Sequence, residues 1–268
     1  MWLASVDGVL SPADEARIPI ADDGLLRGDG GFEVVRVYGG VPFAWEEHLA
    51  RLAATCAGLR LEADLVGLRR EAEAVLTEAQ EPESLLRLVV TRGGRRIAVV
   101  EPLPVRGPTA RVATITYAPS RVLNGLKTLS YAGNMLAVRL AQEQGYDEAL
   151  LVTPHGRVLE GPTWTFFWVA RGRLHTPPLS EGILDSITRR RVLDAVDVKL
   201  EHCTLDRLRE RAEEAFAAGT GIEVAPVLGV EGVGEWDKPG PVTLAVQQAT
   251  RELIERELAE DAASLQAR

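Results

Sequence analysis

The stretch GFEVVRVYGGVPFAWEEHLARLAATCAGLRL, residues 31–61, constrains the fold more than any other part of the chain. Two β-rich runs flank Gly39–Gly40, a pair that accepts positive φ, so the first half reads as a hairpin. Trp45, Leu49, Leu52, Cys56 and Leu59 then recur at spacings of four and three, the mark of an amphipathic helix. The same mixture continues. A second helix is expected over about 63–79, a hairpin in SLLRLVVTRGGRRIAVVEPLP and a strand in ARVATITYAP. Beyond an irregular stretch come a helix over about 131–144 and strands in EALLVT, RVLEG, TFFWVA and RLHTP. DSITRRRVLDAV reads as a helix capped by Asp185 or Ser186, and TLDRLRER as a short helix. Strands near Ala215 and over 222–228 and a charged helix over about 241–260 complete the chain. Helices and clustered strands without β-α-β alternation point to an α+β fold in two lobes. Pro119, Ser120 and Asn124 mark the linker at 118–125, which leaves domains at 1–117 and 126–268.

Composition removes several classes of function. A net charge of −9 argues against general nucleic-acid binding, which needs a basic footprint. Two cysteines, Cys56 and Cys203, are too few for a disulfide framework, so a cytoplasmic location is expected. The four histidines show no metal-ligand spacing. No run approaches the roughly 20 apolar residues of a membrane span, and the start has no basic region of a signal peptide. The glycines of RGDGG and TRGG lack nucleotide-loop spacing.

Five features carry possible chemistry. Lys127, between Leu126 and Thr128 in GLKTLSYAG, is either a snorkelling surface residue or an amine kept half dry. An amine attacks a carbonyl only when neutral, and apolar surroundings or a nearby cation reduce the cost of losing its proton. Arg51, three residues after His48, offers a fork that suits a phosphate, or is a solvated flank residue. Ser186, Ile187 and Thr188 open a helix whose free N–H groups can hold an anion, or are ordinary capping. Gly219 and Thr220 form a glycine-rich turn with backbone donors and a hydroxyl, or a plain tight turn. Glu160 ends the expected strand in GRVLEGP and is either solvated or paired with a cation. An amine, a phosphate cradle and a carboxylate together describe the needs of pyridoxal 5'-phosphate: a partner for its aldehyde, a grip for its phosphate, and an acid that keeps its ring nitrogen protonated.

The stretches RGDGGFEVVRVYGGVPFAWEEHLARL, LKTLSYAGNMLA, GYDEALLVTPHGRVLEGP, TPPLSEGILDSITRR and GTGIEVAPV, in this order over nearly the whole chain, resemble the class IV aminotransferases. These are the fold-type IV pyridoxal-phosphate enzymes, including D-amino-acid and branched-chain aminotransferases and aminodeoxychorismate lyases. The resemblance implies two α/β domains with the cofactor between them, and a homodimer. It implies that Lys127 is the Schiff-base lysine, Arg51 a phosphate ligand and Glu160 the partner of the ring nitrogen. Ile187 and Thr188 become helix-start phosphate contacts, and Gly219 and Thr220 the second phosphate loop. Tyr131 matches a tyrosine that bonds the cofactor's phenolic oxygen in branched-chain members, although it lies one residue closer to the lysine here. Ser186 stands where the family usually has glycine, as a further phosphate contact or only a cap, and Thr165 where it often has asparagine. EVVRVYGG is similar to the D-amino-acid enzymes, but TRGGRRIAVV lacks their Arg-x-His pair, which leaves Arg36, Arg95 and Arg96 as candidates for the substrate carboxylate. Small amino and keto substrates are expected, with no nucleic acid and no membrane as partner. The alternatives are a 4-amino-4-deoxychorismate lyase releasing pyruvate and p-aminobenzoate, and a non-catalytic pyridoxal-phosphate-binding protein.

Overall fold

The computed structural model describes residues 2–266, with side chains over 2–260. The chain divides into two compact units, one of residues up to Val105 together with Leu126–Tyr131, the other of Arg106–Gly125 together with the residues from Ala132 onward. Two pieces therefore depart from the expected boundaries at 117 and 126. The strand in ARVATITYAP belongs with the second unit because it pairs in parallel there, and the lysine segment returns to the first because it pairs with the glycines of GGFE. The stretch 118–125, expected as a linker, lies within the second unit.

The first unit holds β1 (Leu3–Val6), β2 (Val9–Pro12), α1 (Asp23–Arg27), β3 (Gly30–Tyr38), β4 (Val41–Pro42), α2 (Trp45–Gly58), α3 (Leu65–Ala79), β5 (Ser84–Thr91) and β6 (Arg96–Glu101). Its antiparallel sheet runs β2-β1-β6-β5-β3-β4. Alternation along β3 and β5 puts Val35, Val37, Leu86, Leu88 and Val90 on one face, where Leu52 and Cys56 of α2 and Leu68, Ala72 and Val75 of α3 bury them. Phe32, Val34, Arg36 and Tyr38 point to the other face, with Val34 directly opposite Arg87 of β5. The β1–β2 hairpin had no counterpart among the expected elements, yet Asp7–Gly8 was its signal: both residues take positive φ in the turn.

The second unit holds β7 (Ala110–Thr116), α4 (Ala132–Glu143), β8 (Glu148–Val152), β9 (Thr165–Ala170), β10 (Arg173–Thr176), α5 (Ile187–Ala195), β11 (Val198–Leu200), α6 (Leu205–Arg211), β12 (Glu214–Gly219), β13 (Glu223–Val230), β14 (Gly234–Glu235) and α7 (Pro241–Gln266). Its mixed sheet runs β11-β10-β9-β12-β13-β7-β8, with β14 on β13. All six residues of β9 are buried; Phe166, Trp168 and Ala170 feed one core cluster while Phe167 and Val169 feed another. The strand expected in RVLEG does not form. Arg157 and Val158 make only single bridges, to Thr204 and Val152, and Gly161–Pro162 ends any ladder.

Candidate active site

In the first unit the lysine is placed by glycines. Phe32 N–H donates to the Lys127 carbonyl at 3.0 Å and Leu129 N–H to the Gly30 carbonyl at 2.9 Å, so 127–129 lies antiparallel along the start of β3. A Cβ on Gly30 would sit 2.5 Å from the Val90 carbonyl oxygen and 2.6 Å from Leu129 Cδ1; only glycine admits this approach. The Lys127 N–H is fixed by Thr55 Oγ1 of α2 at 3.2 Å. The half-buried amine then rests on aromatic faces, Nζ lying 4.4 Å from the Phe32 ring centroid and 5.7 Å from that of Tyr131. Those two rings meet edge to face at 5.2 Å. Ring faces attract the ammonium form. The guanidinium of Arg87 occupies the same Phe32 ring at 5.6 Å, on the strand face that also carries Arg36.

Arg51 forms a fork on Glu33, Nε to Oε1 and Nη2 to Oε2, each at 2.7 Å, and His48 Nδ1 meets Glu33 Oε2 at 2.8 Å. The Glu33 side chain is wholly buried. Burial alone would raise its carboxyl, but the hydrogen bonds and charges of Arg51 and His48 outweigh that and hold it down at about 2. Burial pushes the His48 imidazole below its ordinary value; the charges of Arg51 and Lys127 act in the same direction and Glu33 against it. Sequence reasoning missed Glu33 and His48. The signal was there: Glu33 falls in step with Val35 and Val37, so period-two alternation aims a carboxylate into the apolar face.

The expected substrate arginines are all engaged with acids. Arg36 pairs with Glu83 and lies over Tyr38, Arg95 pairs with Asp7 and approaches Asp22, and Arg96 pairs with Glu71 and Asp64.

In the second unit, Glu160 leads three loops that meet. Its carboxylate accepts the Leu184 N–H, at 3.1 Å to Oε1 and 3.3 Å to Oε2. Two residues on, Ser186 caps α5 by accepting the Arg189 N–H on its hydroxyl at 3.3 Å, and Ile187 and Thr188 form the first turn, buried. Their N–H groups are those a helix start leaves without intrahelical acceptors. On the other side of Glu160, Gly161 lies flat against the Trp164 ring, and Gly219 lets Thr163 and Trp164 approach: a Cβ there would stand 3.1 Å from the Thr163 oxygen. Thr220 follows at the tip of the β12–β13 turn. Thr165 is buried, and its hydroxyl has no hydrogen-bond partner among the described residues. Tyr117 donates its hydroxyl to Asn134 at 3.3 Å; burial, then the charge of Glu160, raises the pKa of its phenol.

Within the first unit an amine on aromatic faces and a bidentate guanidinium, and within the second a carboxylate with a backbone donor beside a capped helix start, are groups whose chemistry suits pyridoxal phosphate. The sequence profile described as Amino-transferase class IV matches residues 30–230. A putative branched-chain-amino-acid aminotransferase of Methanocaldococcus jannaschii is 33% identical over 254 residues, covering 85% of this chain and 87% of its own. A D-alanine aminotransferase of Bacillus licheniformis is 30% identical, covering 94% and 97%, and an aminodeoxychorismate lyase of Bacillus subtilis 28% identical, covering 92% and 90%. Among solved structures, a fold IV transaminase of Curtobacterium pusillum superposes with a TM-score of 0.82 at 26% identity, covering 92% of this chain and 98% of its own. The architecture is thus that of the fold-type IV transaminases. The chain belongs to the class IV aminotransferase family and is a pyridoxal-phosphate-dependent enzyme. Among the described residues no helix is long and apolar enough to cross a membrane.

Proposed function

We propose that this enzyme moves an amino group from a D-amino acid to a keto acid, with Lys127 as its catalytic residue. The observation that carries the reading is the Phe32 ring, on which both the Lys127 amine and the Arg87 guanidinium lie, the guanidinium also being held by Glu101. Pyridoxal phosphate supplies an aldehyde and a ring that accepts electrons from a substrate carbon. The chain supplies the rest. Lys127 Nζ would hold the cofactor's aldehyde and, as a free amine, would move the proton at the substrate α-carbon. Glu160 would keep a proton on the ring nitrogen. Arg51, held by Glu33, and the amides of Ile187, Thr188, Gly219 and Thr220 would hold the phosphate, and Tyr131 would face the phenolic oxygen. For the substrate carboxylate, Arg87 is placed ahead of Arg36, Arg95 and Arg96, because it alone of the four lies on the ring that carries the amine. A homodimer in the cytoplasm is the expected working form.

The second reading is the lyase, favoured by the relative bearing that name. One experiment separates them. Mixed with D-alanine or D-glutamate alone, an aminotransferase exchanges its aldehyde-form absorption for the amine form and stops until a keto acid is added. Pyruvate release from aminodeoxychorismate without any keto acid would instead establish the lyase. Lys127→Ala is expected to lose the lysine-bound absorption and turnover in either case; retained turnover would overturn the lysine assignment.

A further inference from the structure

Segments 157–160 and 181–184 touch at matched intervals. At one end Arg157 meets Glu181: Nε donates to Oε1 at 2.8 Å, and Nη2 donates to the same oxygen. Three residues further along both segments, the Leu184 N–H donates to the Glu160 carboxylate. His202 Nδ1 closes on the same Glu181 oxygen and on Arg157 Nη2, so the three side chains form one cluster around a carboxylate only 6% exposed. The loop between β10 and α5 has little regular structure to hold its own shape. It makes a 3-10 turn at Leu179–Glu181, passes Gly182 at φ +83°, and reaches the cap at Ser186. Further anchors are Ile183, buried beside Leu151 and Leu159, the Asn124 side chain packed on Gly182, and the Arg189 Nη2 bond to the Pro177 carbonyl at 3.2 Å.

An amide N–H aimed at a carboxylate favours its charged form and fixes its orientation. Here that N–H belongs to the loop, so the register of the loop decides what Glu160 can do. A half-exposed ion pair contributes little to global stability, and Arg157 is 42% exposed. Its consequence is local. We propose that Arg157 and Glu181 are positioning residues for Glu160: their ion pair sets 181–184 against 157–160 and thereby aims Leu184 N–H at the carboxylate. The proposal rests on the assignment of Glu160 to the cofactor's ring nitrogen.

The test uses holoenzyme reconstituted with cofactor carrying 15N in its ring, and reads the ring-nitrogen resonance at neutral pH alongside kcat and KM. Glu181→Gln and Arg157→Met are expected to fold, to move the resonance toward the unprotonated position, and to lower kcat by about tenfold with KM nearly unchanged, since a small misplacement acts on the reacting state. Arg157→Lys, which keeps the charge, is expected to recover most of the resonance position. If both disrupting variants leave the resonance and kcat at wild-type values, the loop holds its register without the ion pair and the proposal is overturned. Glu160→Gln separates the two levels. A resonance it fails to move removes the ring-nitrogen assignment itself, whereas one that Glu160→Gln moves and Glu181→Gln does not removes only the positioning role.

Discussion

Glu33 is the residue on which the first unit's electrostatics turn. Its carboxyl, held at about 2 against an ordinary 4.5, is charged in the folded chain over a range where the unfolded chain is already protonated. The unfolded chain therefore binds more protons there, and stability falls as pH is lowered. The contribution is complete above about 4.5 and is lost as pH drops through about 2, worth about 3 kcal/mol over that window. His48 adds an earlier loss. Its imidazole, lowered from 6.5, takes up a proton less readily in the fold than in the unfolded chain, so its share declines below pH 6.5. Urea unfolding across a pH series is expected to show both declines in the wild type. Glu33→Gln should abolish the lower one and, by stranding Arg51 with its side chain 10% exposed, cost about 3–5 kcal/mol at neutral pH. Arg87 makes a different prediction, because its side chain is 36% exposed and already shares Glu101. Arg87→Met should leave the fold intact and raise KM for carboxylate-bearing donors by roughly ten- to a hundredfold, in line with about 1.5–3 kcal/mol for a charged hydrogen bond. An amine donor without a carboxylate should be unaffected; an equal rise for both would clear Arg87.

At the level of elements, the start of α5 joins stability to ligand grip, and Ser186 tells the two apart. Its hydroxyl accepts the Arg189 N–H, the bond of an N-cap. Ser186→Ala is thus expected to cost about 1 kcal/mol, a fall in Tm of roughly 2–4 °C, with cofactor affinity almost unchanged. A large loss of affinity with an unchanged Tm would make the hydroxyl a phosphate ligand instead. This helix was legible in DSITRR because a cap signals itself within three residues. The α2 stripe and the β5–β6 hairpin were legible for the same reason, since their periodicity is local. What was not legible is long-range. The partner of Arg51 lies 18 residues away on another element, and nothing near Lys127 announces that its segment becomes a rung beside Gly31. RVLEG misled because alternation names a strand only when a neighbour is available along its length, and Val158 finds Val152 for a single bridge.

For the molecule as a whole, the order of motifs along the chain sufficed to name the family, whose profile matches residues 30–230. Substrate choice was not readable in the same way, because it depends on which guanidinium reaches a ligand, and Arg36, Arg87, Arg95 and Arg96 are each shared with an acid of their own unit. Cofactor removal is the measurement that weighs the proposed ligands together. A ligand bound only by the folded chain stabilises it by about 2.7 kcal/mol at a hundredfold excess over its Kd. For a chain of this size that is a Tm rise of roughly 5–10 °C, read by thermal scans of apo and reconstituted protein. Replacing pyridoxal phosphate with pyridoxal keeps the aldehyde for Lys127 and removes the anion for Arg51 and α5. Most of the Tm rise should then disappear, because two charge-assisted grips are lost against one amine partner kept. Lys127→Ala should do the converse, retaining most of the rise with pyridoxal phosphate and none with pyridoxal. Equal shifts for the two cofactors would place the binding energy on the aldehyde end and take the phosphate role away from Arg51, Ile187 and Thr188 together.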